Sequence, residues 1–272
     1  MNTPPCALAI AGSDPSGGAG IQADLKTFMA HGCYGAGVIT ALTAQNTQGV
    51  AAVHAPNAQF AQFVALELRL VLDDLPVKAA KTGMLASGDI VRVVASELAD
   101  KNFPLVVDPV SASGRGLSLL DAEGVTVIVE RLLPLADLVT PNRPEAELLT
   151  GIKVTGRESL FAAMERLLSF GCKAALVKGG HMETQDGMLT DWLLLPGQAP
   201  LALCIPKVDT PHTHGTGCAL SAAITARLAL GDALHDAVLA AQVWLNRALA
   251  AGFAVGGGAS PPNHLVDFPA RN

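Results

Sequence analysis

Short apolar runs alternate with amphipathic segments along most of the chain. Each run is bounded by glycine or proline, and each is followed by a segment whose apolar residues recur about every 3.6 positions. This alternation predicts βαβ units around a parallel sheet. Strands are predicted at residues 7–11, 37–43, 77–81, 105–108, 138–140 and 174–178, and helices at residues 20–31, 58–72, 87–100, 122–133, 143–149 and 158–170.

The C-terminal part of the chain departs from this alternation. Residues 188–205 have the pattern of two strands joined by Pro196, Gly197 and Gln198, which predicts a hairpin of antiparallel strands at one sheet edge. Two further helices are predicted after it. No repeat or low-complexity linker divides residues 1–272, and the glycine tract at 256–258 lies too near the C-terminus to separate domains. We therefore expect a single α/β domain with a mostly parallel sheet.

Composition narrows the class of ligand. The 272 residues are 50% apolar and 15% charged, which predicts a sizeable buried core. A net charge of −6 without basic runs disfavours nucleic acid and anionic membranes as partners. Five cysteines without a C-x-x-C pair disfavour a disulfide framework and a zinc site. With no signal peptide or membrane span indicated, we expect a cytoplasmic protein that binds a small molecule.

The strongest functional signal is the segment His214-Gly215-Thr216-Gly217-Cys218, which an alanine-rich helix follows. The backbone N–H groups of Gly215, Thr216 and Gly217 can point into one concavity at the start of that helix, where the dipole favours negative charge. The segment therefore predicts an anion hole. A thiol at Cys218 is expected to have a lowered pKa there. Phosphoryl transfer is favoured, and a cysteine hydrolase with His214 as base is a rival interpretation.

Polar residues follow several of the predicted strands. In open parallel sheets, ligands bind at the carboxyl ends of the strands, so these residues are expected to converge on one site. They are Gly12-Ser13-Asp14, Gln45-Asn46, Thr82-Gly83-Met84, Asp108-Pro109-Val110, Pro141-Asn142 with Glu145, and Lys178-Gly179-Gly180-His181.

Three side chains suggest how a ring could be bound. Asp24 lies on the apolar face of a predicted helix and should meet a specific partner, either a ligand or a protein group, unless it only stabilises the first helical turn. The amide of Gln45 can bond a heteroaromatic ring at two places, although an exposed loop position is the alternative. Met84 could cover a ring face or simply belong to the core.

Two carboxylates are candidates for a metal site. Glu145 and Asp108 could orient Mg²⁺ through water, because this ion keeps most of its hydration shell in proteins. Glu145 is also a favourable residue for starting a helix. The segment Gly18-Ala19-Gly20-Ile21-Gln22-Ala23 matches G-x-G-x-x-A, but no acidic residue follows at the distance that nicotinamide dinucleotide binding requires.

Taken together, six segments resemble the hydroxymethylpyrimidine/phosphomethylpyrimidine kinases of thiamine biosynthesis, a family of the ribokinase-like superfamily. The segments are residues 11–27 (AGSDPSGGAGIQADLKT), 38–47 (VITALTAQNT), 81–85 (KTGML), 140–142 (TPN), 177–181 (VKGGH) and 213–218 (THGTGC). The resemblance runs from about Ala7 to the final helices. It implies a three-layer fold, a mostly parallel central sheet flanked by helices, and a homodimer.

The resemblance also implies a reaction. ATP, with Mg²⁺, would phosphorylate 4-amino-5-hydroxymethyl-2-methylpyrimidine and then convert its monophosphate to the diphosphate. By family likeness, each candidate residue takes one role. Gly12, Asp24 and Gln45 would bond the aminopyrimidine, with Met84 and Val110 against its ring. Gly215, Thr216 and Gly217 would hold the transferring phosphoryl group, and Cys218 would stand where sugar kinases have an aspartate base. Lys178, Asn142 and Thr213 would contact ATP, and Glu145 with Asn142 would support the magnesium; Asp108 is the second magnesium candidate from its own position after a strand.

The chain departs from the family pattern at two places. After Val110 the family usually continues with a methionine and an A-[KT]-S-G segment, whereas residues 111–116 here are SASGRG. An asparagine is usual where this chain has His212. Two other functions therefore stay open: a vitamin B6 kinase, which differs only in the ring pocket, and a catalytically silent pyrimidine-binding or regulatory protein. Gln45 and Met84 favour the pyrimidine over the B6 ring.

Overall fold

The computed structural model describes residues 3–54, 57–112, 116–179 and 187–268, and within them the strands form one sheet. The strands are β1 (Cys6–Ser13), β2 (Tyr34–Asn46), β3 (Gly49–His54), β4 (Val77–Thr82), β5 (Leu105–Val107), β6 (Leu138–Val139), β7 (Ala175–Val177), β8 (Met188–Leu194) and β9 (Leu201–Pro206). Their order across the sheet is β3-β2-β1-β4-β5-β6-β7-β8-β9. Every predicted strand is present.

The centre of the sheet is parallel and both edges are antiparallel. Strands β2, β1, β4, β5, β6 and β7 run parallel to one another, while β8 pairs antiparallel with β7 and forms the predicted hairpin with β9. The sequence did not predict β3, which pairs antiparallel with β2 at the opposite edge. Its residues are exposed or half-buried on both faces, so they lack the apolar alternation that identifies a strand.

The eight helices that the sequence predicts are all present, with small shifts at their ends. They are α1 (Gly20–Ala30), α2 (Ala58–Asp74), α3 (Gly88–Glu97), α4 (Ala122–Val127), α5 (Arg143–Thr150), α6 (Arg157–Ser169), α7 (Thr216–Ala229) and α8 (Leu234–Ala250). The prediction of one regular helix over residues 122–133 was too simple. After α4 the chain passes through a π turn and then a 3₁₀ turn that contains Pro134, whose missing N–H cannot continue an α-helix. No helix in the part of the chain that the structure describes is long and apolar enough to span a bilayer.

Helices cover both faces of the sheet and give three layers. Along β1, Leu8 and Ile10 face the core beneath α2, α3 and α6, whereas Ala7, Ala9 and Ala11 face α1 and α7. The second face is thus built largely from alanine, on the strand and on α7 alike. Small side chains let helix and sheet approach closely, and α7 accordingly packs against β1, β4 and β5. This packing places the first residues of α7 at the carboxyl ends of these strands. The predicted α/β fold is confirmed.

Candidate active site

The first turn of α7 packs directly on the loop between β1 and α1, residues 14–19, which we name the glycine-rich loop. Gly215 precedes α7 in the left-handed conformation, with φ of 75°. A side chain at this position would overlap the carbonyl oxygen of Gly18, and its Cβ would stand 3.0 Å from the Cα of Ala19. Only glycine therefore allows the two backbones to meet.

The start of α7 presents free backbone donors, but not quite the predicted set. The N–H groups of Gly215, Gly217 and Cys218 donate to no acceptor within the described ranges. The N–H of Thr216 instead lies 3.3 Å from the carbonyl oxygen of Thr213, which also accepts the Thr216 hydroxyl at 2.8 Å. Two of the three predicted donors are thus free, and Cys218 supplies the third.

Asp14 holds the glycine-rich loop together and ties it to α7. One carboxylate oxygen accepts hydrogen bonds from the backbone and hydroxyl of Ser16, and the other accepts from the N–H of Ala19 at 2.8 Å and from Nε2 of His214 at 2.9 Å. Burial opposes ionisation of Asp14, but the bonds from His214 and Ser16 outweigh it and hold the pKa of Asp14 below its usual range. The His214 ring therefore faces Asp14 and forms no hydrogen bond to Cys218 in the described structure, so the cysteine hydrolase gains no support.

Lys178, in the loop after β7, lies between two buried carboxylates. Its Nζ is 2.9 Å from Oδ1 of Asp108 and 3.8 Å from Oε2 of Glu145. Burial disfavours its charge, but Asp108 and Glu145 outweigh burial and raise the pKa of Lys178. A Cβ at Gly217 would be 3.3 Å from Nζ, so the ammonium group lies beside the first turn of α7. Gly180 and His181 lie outside the described residues.

Asp108 and Glu145 differ in how their oxygens are used. Asp108 accepts from Lys178, from the hydroxyl of Thr140 at 3.2 Å and from the hydroxyl of Ser221 at 3.1 Å. Glu145 forms a capping box with Asn142: its Oε2 accepts the Asn142 N–H at 2.8 Å, and its own N–H donates to Oδ1 of Asn142 at 2.9 Å. The helix-starting role of Glu145 is therefore real. Burial raises the pKa of Glu145, Lys178 opposes this and Asp108 adds to it.

Asp24 meets a partner that the sequence did not identify. Its Oδ1 lies 2.6 Å from Nζ of Lys81, and both side chains are fully buried. Asp24 is the fifth residue of α1, beyond the first turn, so the helix-dipole interpretation was wrong. The sequence did carry a signal for Lys81, because a lysine near the end of a buried strand also requires a partner.

The residues predicted to bind a ring are only partly assembled. The N–H of Gly12 donates to the carbonyl oxygen of Met84 at 3.0 Å, and Met84 Sδ lies 3.0 Å from the place of a Cβ on Gly12. Met84 is buried, and Val110 is half-buried two residues after Asp108. Gln45, half-buried in β2, donates a hydrogen bond that helps to lower the pKa of Asp14. Thr213 is exposed just before α7.

Cys218 is half-buried in the first turn of α7, and the expectation for its thiol was wrong. Burial raises its pKa to about 11, and the charges of Asp24 and Asp108 act in the same direction. Lys81 and the N–H of Gly20 oppose the rise without cancelling it. The position at the helix N-terminus did not predict this pKa, because burial of the thiolate raises the pKa by more than the helix dipole lowers it.

Two open grooves lie elsewhere on the surface. One follows α2 from His54 to Leu66, and the other lies between α1 and α8 beside Trp244. Neither contains a predicted site residue. The carboxyl edge of the sheet, where buried charges and free N–H groups converge, is the better candidate for chemistry.

Solved structures agree with this fold. The pyridoxal kinase of Bacillus subtilis, solved as an ADP complex, superposes with a TM-score of 0.86 and 32% identity, covering 97% of this chain and 99% of that one. The phosphomethylpyrimidine kinase of Clostridium difficile superposes with a TM-score of 0.76 and 41% identity, covering 88% and 97%. The fold and the anion hole define a kinase of the ribokinase-like class.

Sequence comparison places the chain within that class. A family model described as phosphomethylpyrimidine kinase matches residues 14–263. The hydroxymethylpyrimidine/phosphomethylpyrimidine kinase of Haemophilus influenzae is 44% identical over 259 residues, covering 94% of this chain and 95% of that protein. The chain belongs to the phosphomethylpyrimidine kinase family, as the resemblance implied.

Proposed function

We propose that the chain transfers a phosphoryl group from ATP to the hydroxymethyl group of 4-amino-5-hydroxymethyl-2-methylpyrimidine, and a second one to the monophosphate so formed. Membership of the family makes it a kinase of thiamine biosynthesis. One observation on the structure carries the proposal: the ammonium group of Lys178 lies beside Gly217, in the first turn of α7, where backbone N–H groups are free. Such an arrangement stabilises the negative charge of a phosphoryl group in transfer.

The donor side of the site is built from α7, Lys178 and the loop before α5. In the proposal, the backbone at Gly215, Thr216 and Gly217 holds the transferring group. The N–H and the hydroxyl of Thr216 both donate to the carbonyl oxygen of Thr213, so Thr216 would contribute by fixing the backbone between the two glycines. Lys178 contacts the phosphates of ATP, and Asn142 and Thr213 line the nucleotide side. Asn142 has only its amide nitrogen free for this, because Oδ1 caps α5.

The residues present fit a hydrated magnesium ion. Asp108 and Glu145 are both buried, and with Lys178 between them they carry one net negative charge. In the proposal, Asp108 and Glu145 hold its waters, and the ion would neutralise charge on the phosphates.

The acceptor side lies along β1, β2 and β4. We propose that Gly12, Asp24 and Gln45 bond the aminopyrimidine, while Met84 and Val110 contact its ring. Cys218 would lie beside the attacking hydroxyl group. Its thiol is neutral near pH 7, so at that pH it orients the hydroxyl, and it becomes a base only where a thiolate forms. Phosphoryl transfer tolerates this, because it depends mainly on positioning and charge stabilisation.

A coupled ATP assay tests the proposal and its rivals. With ATP and Mg²⁺, we expect turnover of the aminopyrimidine alcohol and of its monophosphate. Turnover of pyridoxal or pyridoxine without the alcohol would show a vitamin B6 kinase, the alternative that the likeness to the Bacillus subtilis pyridoxal kinase favours. Tight pyrimidine binding by calorimetry with no ADP formed would show a silent binding protein.

We further propose a cytoplasmic homodimer. On the outer face of α2, Phe63, Leu66 and Leu70 are exposed at positions that share one stripe. Such a stripe supports an interface between copies. Light scattering should give twice the 27.9 kDa chain mass, and a monomer mass would contradict this.

A further inference from the structure

Lys81 is fully buried and has no role in the phosphoryl transfer proposed above. Lys81 is the next-to-last residue of β4, and its ammonium group pairs with Oδ1 of Asp24 at 2.6 Å. Removing two charges from water costs free energy that one ion pair recovers only in part. The pair is therefore weak evidence for stability, and another reason for its presence is needed.

The second oxygen of Asp24 supplies such a reason. Oδ2 is buried and has no hydrogen-bond partner among the residues that the structure describes. Buried acceptors are nearly always bonded, so an unsatisfied carboxylate oxygen beside a candidate substrate site points to a donor on a ligand. Lys81 occupies only Oδ1 and leaves Oδ2 for that donor.

The position of Lys81 connects both parts of the acceptor side. Its Nζ lies 3.9 Å from the place of a Cβ on Gly83, directly before Met84. Its positive charge also acts on the Cys218 thiol, and the charge of Asp108 acts on Lys81 in turn. The ammonium group thus lies near the proposed ring contact at Met84, and its charge acts on both Asp24 and the Cys218 thiol.

We propose that Lys81 is a positioning residue that determines specificity: it keeps Asp24 ionised and turns Oδ2 into a pure acceptor, which selects rings that carry an amino group. A carboxylate only accepts hydrogen bonds, whereas a carboxylic acid also donates one. The inference rests on the proposed function, because it assumes that the ring lies against Asp24.

The groups that face Asp24 make the inference sensitive to pH. They are Lys81 from β4, Cys218 from α7 and Asp108 after β5. Burial raises the pKa of Asp24 to about 6 even though Lys81 opposes the rise. Without Lys81 the carboxyl group would lose its counter-ion and would stay protonated at neutral pH.

Calorimetry with two ligands tests this role. The ligands are the aminopyrimidine alcohol and the same alcohol with hydrogen in place of the amino group. For the wild type at pH 7.5 we expect a preference for the amino ligand of about tenfold or more, the value of one buried hydrogen bond to a charged group. In Lys81→Met the preference should fall below about threefold at pH 7.5 and return toward pH 9, because Asp24 then ionises.

Two further variants serve as controls. Lys78→Met, at an exposed position of the same strand, should keep the full preference, while Asp24→Asn should lose it at every pH. A folded Lys81→Met protein that keeps the wild-type preference at pH 7.5 would overturn the inference, as would a preference that does not recover at high pH.

One measurement needs no variant. In the wild type the preference should decline as the pH falls through about 6, after correction for titration of the free ligands. A constant preference from pH 8 to pH 5 would overturn the inference even if Lys81→Met does not fold. Absence of any turnover of the amino alcohol would instead refute the proposed function, so the two failures are distinguishable.

Discussion

Gly215→Ala should damage both stability and catalysis, because position 215 combines two separate constraints. The left-handed backbone, with φ of 75°, costs a non-glycine residue about 1–2 kcal/mol. The added Cβ would also overlap the carbonyl oxygen of Gly18, and relief of such overpacking costs about 1–3 kcal/mol. We therefore expect a loss of about 2–5 kcal/mol in the free energy of unfolding.

The catalytic effect follows from where the overlap is relieved. The glycine-rich loop and the first turn of α7 must move apart, and both contribute to the proposed site. A displacement on the order of 1 Å can lower a rate about 100-fold, so kcat/KM should fall by about that factor. Urea unfolding and the coupled ATP assay measure the two effects.

Gly151→Ala is the matched control. Gly151 ends α5 in the same left-handed conformation, with φ of 72°, and a Cβ there would meet no described atom within 4 Å. This variant should lose only about 1–2 kcal/mol and keep the wild-type kcat/KM. Equal losses of stability in the two variants, with full activity in Gly215→Ala, would contradict the prediction. The packing of the glycine-rich loop on the first turn of α7 would then not be needed for stability or catalysis.

Three shorter predictions concern single side chains. Cys218→Ala should lower kcat and leave the Kd of the pyrimidine nearly intact. We expect the wild-type kcat to rise above pH 7 as the thiol ionises, and this rise should vanish in the variant. An unchanged kcat would remove the thiol from the reaction. Gln45→Ala should do the reverse, weakening calorimetric binding by about 1–3 kcal/mol if its bonds to the ring are buried. His264 is buried, and burial and then the charge of Lys26 lower its pKa to about 4. Between pH 6.5 and 4, unfolded chains therefore bind a proton at His264 that folded chains do not bind. Stability from this group, about 3 kcal/mol, is complete above pH 6.5 and is lost as the pH falls toward 4, so urea midpoints should depend less on pH in His264→Gln.

The sequence predicted those parts of the site that are local in the chain. Gly215 and Gly217 produce free backbone donors because the residues that create the turn and the helix are contiguous. The helices and the parallel strands were predictable for the same reason, since each has its own apolar period. Strand β3 was not, because its register comes from pairing with β2 and not from its own residues.

The charges of the site could not be predicted in the same way. Lys81 and Asp24 are 57 positions apart, and Asp108 and Lys178 are 70 apart, so only the strand order brings each pair together. The same holds for the thiol: a helix N-terminus is visible in the sequence, but the burial that raises the pKa of Cys218 to about 11 depends on how α7 packs.

The backbone and the side chains contribute to different parts of the proposed site. In the proposed site, phosphate recognition would rest on N–H groups and glycine contacts that depend on the backbone, and so it would suit any acceptor that reaches the start of α7. Recognition of the ring would rest on Asp24 and its buried partner, and the surrounding packing sets the charge state of Asp24. We therefore expect a change of acceptor in this chain to require changes around Asp24, Lys81 and Met84, while the anion hole and Lys178 can stay as they are.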